Sequence, residues 1–100
     1  MEYKTEKKGS NTILYVQGDI KTEVSAEFQD RLLQEIDQCD ILLVDLSDVE
    51  YICSAGLRAF LACQRKVDET DGKELQILNV CDEVMDVFSD TGFDNVLTIR

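Results

Sequence analysis

Ser54 stands in the run Ile52-Cys-Ser-Ala-Gly-Leu57, where its type and its neighbours make it the first candidate for chemistry. Apolar residues at helical spacing (Leu57, Phe60, Leu61, Val67) begin just after it, so the serine opens a helix. Its hydroxyl then lies beside unpaired backbone N–H groups and the positive end of the helix dipole. Ala55 and Gly56 put little bulk around it, which leaves it open to a kinase. A phosphate there would add about −1.5 to −2 charges, which a helix terminus can accommodate. The same charge inside a protein interface is repelled by acidic neighbours and costly to desolvate. The plainer role for Ser54 is a helix N-cap, worth about 1 kcal/mol, and one hydroxyl can serve both. Cys53 is either a thiol activated by the same helix terminus or a small buried hydrophobe.

Little else in the chain carries chemistry. Asp19 and Asp45, at strand ends, form a superficial carboxylate pair, but the chain has no histidine, no glycine-rich phosphate loop and no metal-ligand set. No intrinsic enzyme, metal or cofactor is expected. Cys39, Cys53, Cys63 and Cys81 are scattered without a C-x-x-C pair and are read as reduced, mostly buried hydrophobes. With 10 basic and 21 acidic residues the net charge is −11, which disfavours nucleic acid and anionic lipid as partners. That acidity serves solubility or a basic docking partner. A chain of 100 residues makes one domain, residues 1–100. No apolar run reaches the ~20 residues that span a bilayer, and the N-terminal residues lack the apolar core of a secretory signal. A cytoplasmic protein without membrane insertion is expected.

The elements that must position Ser54 follow from periodicity. Glu2 to Lys8 alternates weakly, Gly9-Ser10-Asn11 supplies a turn, and Ile13 to Val16 is β-branched and aromatic, giving an N-terminal hairpin. Val24, Phe28, Leu32, Leu33 and Ile36 recur as one buried helix face over Glu23 to Gln38. Ile41 to Leu46 is apolar except for Asp45, the pattern of a central parallel strand covered on both faces. The helix opened by Ser54 is expected to stop near Asp71-Gly72, with glycine as its C-terminal cap. Leu75 to Leu78 is a strand, Asp82 to Thr91 a third helix ended by Gly92, and Val96 to Ile99 a last strand. The fold class is α/β: one compact domain with a mixed, mostly parallel sheet and three main helices, in the order β-β-α-β-α-β-α-β. In such sheets the loops leaving the carboxyl ends of the parallel strands share one edge. That places Gly18 to Thr22 beside Ile52 to Gly56.

The segment Val44 to Leu57 resembles the signature of the STAS domain, the module of anti-sigma factor antagonists and of sulphate transporter tails. Gly18-Asp19-Ile20 is similar to the family's loop after the second strand, Asp71 to Leu75 to its turn into the next strand, and Thr91-Gly92-Phe93 to its final helix end, so the likeness covers nearly the whole chain. The resemblance implies that Ser54 is the residue phosphorylated by an anti-sigma factor that is itself a serine kinase. It implies that the unphosphorylated form binds that kinase and frees a sigma factor, and that a serine phosphatase resets the cycle. A docking surface of Asp19, Ile20, Lys21, Thr22, Cys53, Ser54, Ala55, Gly56, Leu57 and Arg58 is expected, with Gln64 and Arg65 as further exposed contacts, on a monomer or weak dimer. The chain departs from the family at two places. Cys53 replaces the usual aspartate before the serine, and Lys21 replaces a second acid in the Gly18-Asp19-Ile20-Lys21 loop. An alternative therefore stays open, a constitutive scaffold docking onto a transport ATPase or a stressosome-like assembly without phosphorylation.

Overall fold

The chain opens on a hairpin whose turn is made by Gly9, at φ 61°, a conformation that a side chain would resist. Strands β1 (Glu2–Lys8) and β2 (Asn11–Gln17) pair antiparallel on either side of it, Glu2 opposite Gln17 and Lys8 opposite Asn11. The computed structural model describes residues 1–100 and continues with α1 (Thr22–Asp37), β3 (Ile41–Asp48), α2 (Ser54–Asp68), β4 (Glu74–Leu78), α3 (Asp82–Thr91) and a 3₁₀ turn at Phe93–Asn95. The sheet order is β1-β2-β3-β4, with β2, β3 and β4 mutually parallel.

Because each parallel strand lies next to its predecessor, successive right-handed crossovers put all the helices on the same side of the sheet. Leu14, Val16, Leu42, Val44, Leu75 and Ile77 point to that side and join Phe28, Leu32, Phe60, Val84 and Phe88 of the helices in one buried cluster. Phe60 of α2 links the three helices, meeting Phe28 of α1 edge-to-face at 5.2 Å and Phe88 of α3 at 6.1 Å. Lys73 donates to the carbonyls of Ile36 and Cys39 at 2.8 and 2.7 Å, serving the last turn of α1 as a cation should.

Three sequence expectations need correction. The sheet is not covered on both faces: Ile13, Tyr15, Ile41, Leu43 and Leu78 are half-buried and lie outside the core cluster, on the face without helices. Leu42, Val44 and Leu46 are apolar because they face the core, and Ile41 and Leu43 because an uncovered pleated face still favours β-branched and large side chains. Helix α2 ends at Asp68 with Glu69 as its cap, and Gly72, at φ 82°, belongs to the following turn. The last strand is reduced to a single bridge, Ile99 beside Ile77. Helix α3 and the 3₁₀ turn carry helical backbone as far as Val96, so only the final residues reach β4. By contrast, α3 spans the expected Asp82–Thr91 and ends at Gly92, which takes the left-handed conformation at φ 79°.

Candidate functional site

The loops after β2 and β3 meet at one edge of the sheet, as expected for the carboxyl ends of parallel strands. Ile20 N–H donates to Tyr51 O and Cys53 N–H to Ile20 O, both at 2.9 Å, closing a parallel bridge between Ile20 and Ile52. A Cβ on Gly56 would lie 2.6 Å from Ile20 Cγ2 and 2.8 Å from Ile52 Cγ1. The first turn of α2 therefore rests directly on this bridge, and only glycine permits the approach.

The β3–α2 loop is further fixed by side chains. Glu50 N–H donates to Asp19 Oδ1 at 3.0 Å, and the Cys81 thiol donates to Val49 O at 3.3 Å. Asp45 Oδ1 accepts from the backbone N–H and the hydroxyl of Ser47, and its Oδ2 accepts from the Asn79 amide at 2.8 Å. Burial pushes the Asp45 carboxyl up, but these hydrogen bonds outweigh it and hold its pKa below the usual carboxylate value. Asp19 and Asp45 are thus loop anchors, each spent on its own partners.

The N-cap of α2 is Cys53, not Ser54; its extended backbone (φ −88°, ψ 172°) precedes Ser54 as the first helical residue. The Cys53 sulfur shares a hydrogen bond of 3.3 Å with the Ser25 hydroxyl of α1, and Ser25 Oγ also donates to Lys21 O at 2.8 Å. Burial pushes the Cys53 thiol up, yet the Ser25 hydroxyl, the N–H groups of Gly56 and Ala55 and the Thr22 hydroxyl favour its thiolate more strongly, leaving its pKa below the ordinary value. Cys53 is only 9% exposed, so it ties α1 to the start of α2 and offers little surface.

Ser54 itself is exposed, and no side chain caps the helix it opens. Its first turn holds no acidic residue, whereas α1 carries Glu23 there and α3 carries Asp82 and Glu83. In a chain of net charge −11, this leaves one helix terminus whose positive end is uncompensated. Residues 54, 58, 61 and 65 share a helical face, on which Ser54, Arg58 and Arg65 are exposed and Leu61 is half-buried.

Of the ten residues expected to form the docking surface, Lys21, Thr22, Ser54 and Arg58 are exposed and Asp19 and Ala55 partly so. Ile20, Cys53, Gly56 and Leu57 are buried and support that surface from beneath, because the bridge and the close helix approach draw them inward. Gln64 is half-buried and donates to Asp68, so α2 presents its arginines and not this amide. Sequence reasoning missed Tyr51, which is 51% exposed on the loop between the bridge and β3. A lone aromatic outside any periodic pattern, two residues before the helix cap, was the available signal.

The family profile of the STAS domain matches residues 2–100. The chain belongs to the STAS domain family. Its fold is similar to that of an anti-sigma factor antagonist from Mycobacterium paratuberculosis, at 19% identity over 99% of this chain and 84% of that one, with a TM-score of 0.87. An anti-sigma-factor antagonist (STAS) domain protein from Planctomyces limnophilus matches at 16% identity over 98% and 87% of the two chains, with a TM-score of 0.76. The Bacillus cell fate determinant SpoIIAA in its phosphorylated form matches at 13% identity over 99% and 91%, with a TM-score of 0.72. A search of curated protein sequences finds no match to the chain. No helix is long and apolar enough to cross a membrane.

Proposed function

We propose that the protein is an anti-sigma factor antagonist that docks onto an anti-sigma factor kinase through the edge around Ser54 and is released when Ser54 is phosphorylated. The reading rests on one observation above the others: Ser54 is exposed at the only α-helix start without a carboxylate. The same surface can accept a partner while neutral and hold a phosphate once modified.

The physical course of the switch follows from what surrounds the hydroxyl. In the free form Lys21, Thr22, Tyr51, Ser54 and Arg58, with Asp19 and Glu50 at the margin, offer a surface of mixed charge within an acidic protein, suited to a partner that buries Tyr51 as an anchor. Transfer of the phosphoryl group from ATP to Ser54 Oγ releases ADP, and the hydroxyl proton leaves to a base of the kinase. The new dianion lies over the N–H groups of the first turn and, one helical turn on, near Arg58. Both hold it in place without refolding α2. It takes from the partner a cation and a neutral contact surface, and any acid opposite is now repelled. A phosphatase that removes the group restores docking.

The test uses the purified chain with its cognate anti-sigma factor kinase and ATP. One phosphate on Ser54, located by tandem mass spectrometry and absent from Ser54→Ala, is the expected result. A chain that stays unmodified, and whose Ser54→Asp variant is retained by the partner as well as wild type, would leave the constitutive scaffold reading in its place.

A further inference from the structure

The face of the sheet that bears no helix is a second surface, remote in chemistry from the Ser54 edge. Register fixes its layout. Ile13 of β2 lies beside Leu43 of β3, with Glu6 on the β1 side and Gln76 on the β4 side. In the neighbouring row Lys8, Asn11, Ile41 and Glu74 run across the sheet in that order. Arg100 reaches the outer margin by donating to Gln76 Oε1 at 2.6 Å. In these two rows Ile13, Leu43 and Ile41 make the centre mostly apolar and the margins are charged, and in the next row Asp45 of β3 lies beside Tyr15 of β2.

Charge on this face departs from the rest of the molecule. Its cations are Lys4, Lys8 and Arg100 and its acids Glu2, Glu6, Asp45 and Glu74, so ten of the eleven net negative charges lie elsewhere. With a net charge of only −1 on this face, two copies can meet through it while the bulk of the acidic charge stays apart.

We infer that the open face of the sheet pairs with the same face of a second copy of this chain, as a two-fold symmetric dimer. A two-fold axis running along the strands, between β2 and β3, sets β1 of one copy over β4 of the other. Two of the four β1 charges then find complementary groups at each margin: Lys8 faces the partner copy's Glu74, and Glu6 faces the partner copy's Gln76–Arg100 pair, while Lys4 lies over the partner copy's Leu78. Ile13 and Leu43 meet at the centre. Lys8 now lies 3.3 Å from Glu6 with both side chains well exposed, a contact weak enough to exchange. Four strands about 4.8 Å apart and five residues at about 3.3 Å each give a flat footprint of roughly 300 Å² per copy. A stable interface needs about 800 Å² per partner. The dimer is therefore a weak one, with a dissociation constant toward the upper micromolar range or above, and it leaves the Ser54 edge free.

Sedimentation equilibrium of the full chain, without any partner, over concentrations up to about 1 mM tests this. The expected result is reversible dimerisation, weakened roughly tenfold or more in Lys8→Glu, which sets like charges together twice per dimer. Glu74→Lys should weaken it similarly, and the double variant Lys8→Glu with Glu74→Lys should restore it, since both changes lie on exposed side chains and leave the core intact. Ser54→Asp should dimerise as wild type, so the result stands or falls separately from the switch. A chain that stays monomeric at about 1 mM, or a dimer indifferent to both single charge reversals, overturns the inference.

Discussion

Helices α2 and α3 begin with the same residue type in the same conformation and then diverge. Cys53 and Cys81 are both N-caps with extended backbone, at φ −88° and −72°, and neither side chain closes a capping hydrogen bond. After Cys81 come Asp82, Glu83 and Val84; after Cys53 come Ser54, Ala55 and Gly56. Helix α3 compensates its own dipole: the Glu83 carboxyl is held below its usual pKa by its own backbone N–H and by Cys81. Its third residue, Val84, is fully buried in the core. Helix α2 leaves its dipole uncompensated and spends its third position on a glycine that lets the bridge approach. The difference teaches that a helix start stays open to an incoming negative group when the sequence withholds from it the charge and bulk that an ordinary one receives.

The largest effect expected from breaking this comparison lies at the glycine. Gly56→Ala would drive a Cβ into Ile20 and Ile52 and cost up to about 3 kcal/mol, read as a shifted urea midpoint with unchanged slope. Next is the anchor beneath the loop. Asp45→Asn gives up charge-assisted hydrogen bonds to Ser47 and Asn79 and should cost about 1.5–3 kcal/mol at neutral pH. The folded pKa of Asp45 is depressed. Its contribution is therefore present above the unfolded value of about 3.9 and lost as pH falls through the lower folded value. Stability curves of wild type and Asp45→Asn should converge in that acid range.

Smaller effects separate the two helix starts directly. Asp82→Asn with Glu83→Gln should destabilise the fold by about 0.5–1 kcal/mol, whereas Ser54→Asp should stabilise it by about 0.5 kcal/mol while abolishing docking. A variant that folds better and binds worse sets function apart from stability. The smallest effect concerns the thiols. Cys63, pushed up to about 12 by burial, and Cys39, also raised by burial, should alkylate more slowly in the native protein than Cys53, followed by peptide mass mapping.

Much of this was legible in residue types. The period of Val24, Phe28, Leu32 and Ile36 marked α1 because one face of it had to be buried, and Gly92 marked the end of α3 because a left-handed cap needs no Cβ. The convergence of Gly18–Thr22 with Ile52–Gly56 followed from the strand order alone. What escaped was decided by neighbours distant in sequence. The open face of β3 looked like a covered one, since Ile41 and Leu43 are as apolar as Leu42 and Val44, and only the side taken by the crossovers distinguishes them. The inward turn of Ile20 depends on how closely α2 approaches the bridge, a distance no local pattern states, whereas the burial of Leu57 was already legible in the apolar stripe it begins. The cap moved from Ser54 to Cys53 for a similar reason, because the thiol has a partner in Ser25 on another helix.

The central claim is that charge on one hydroxyl decides docking. Titration calorimetry of the cognate anti-sigma factor kinase against the unmodified chain and against the chain phosphorylated on Ser54 tests it most directly. The account predicts at least roughly 100-fold weaker binding of the phosphorylated form, with amide spectra unchanged away from residues 50–60. Equal affinity of the two forms would contradict it.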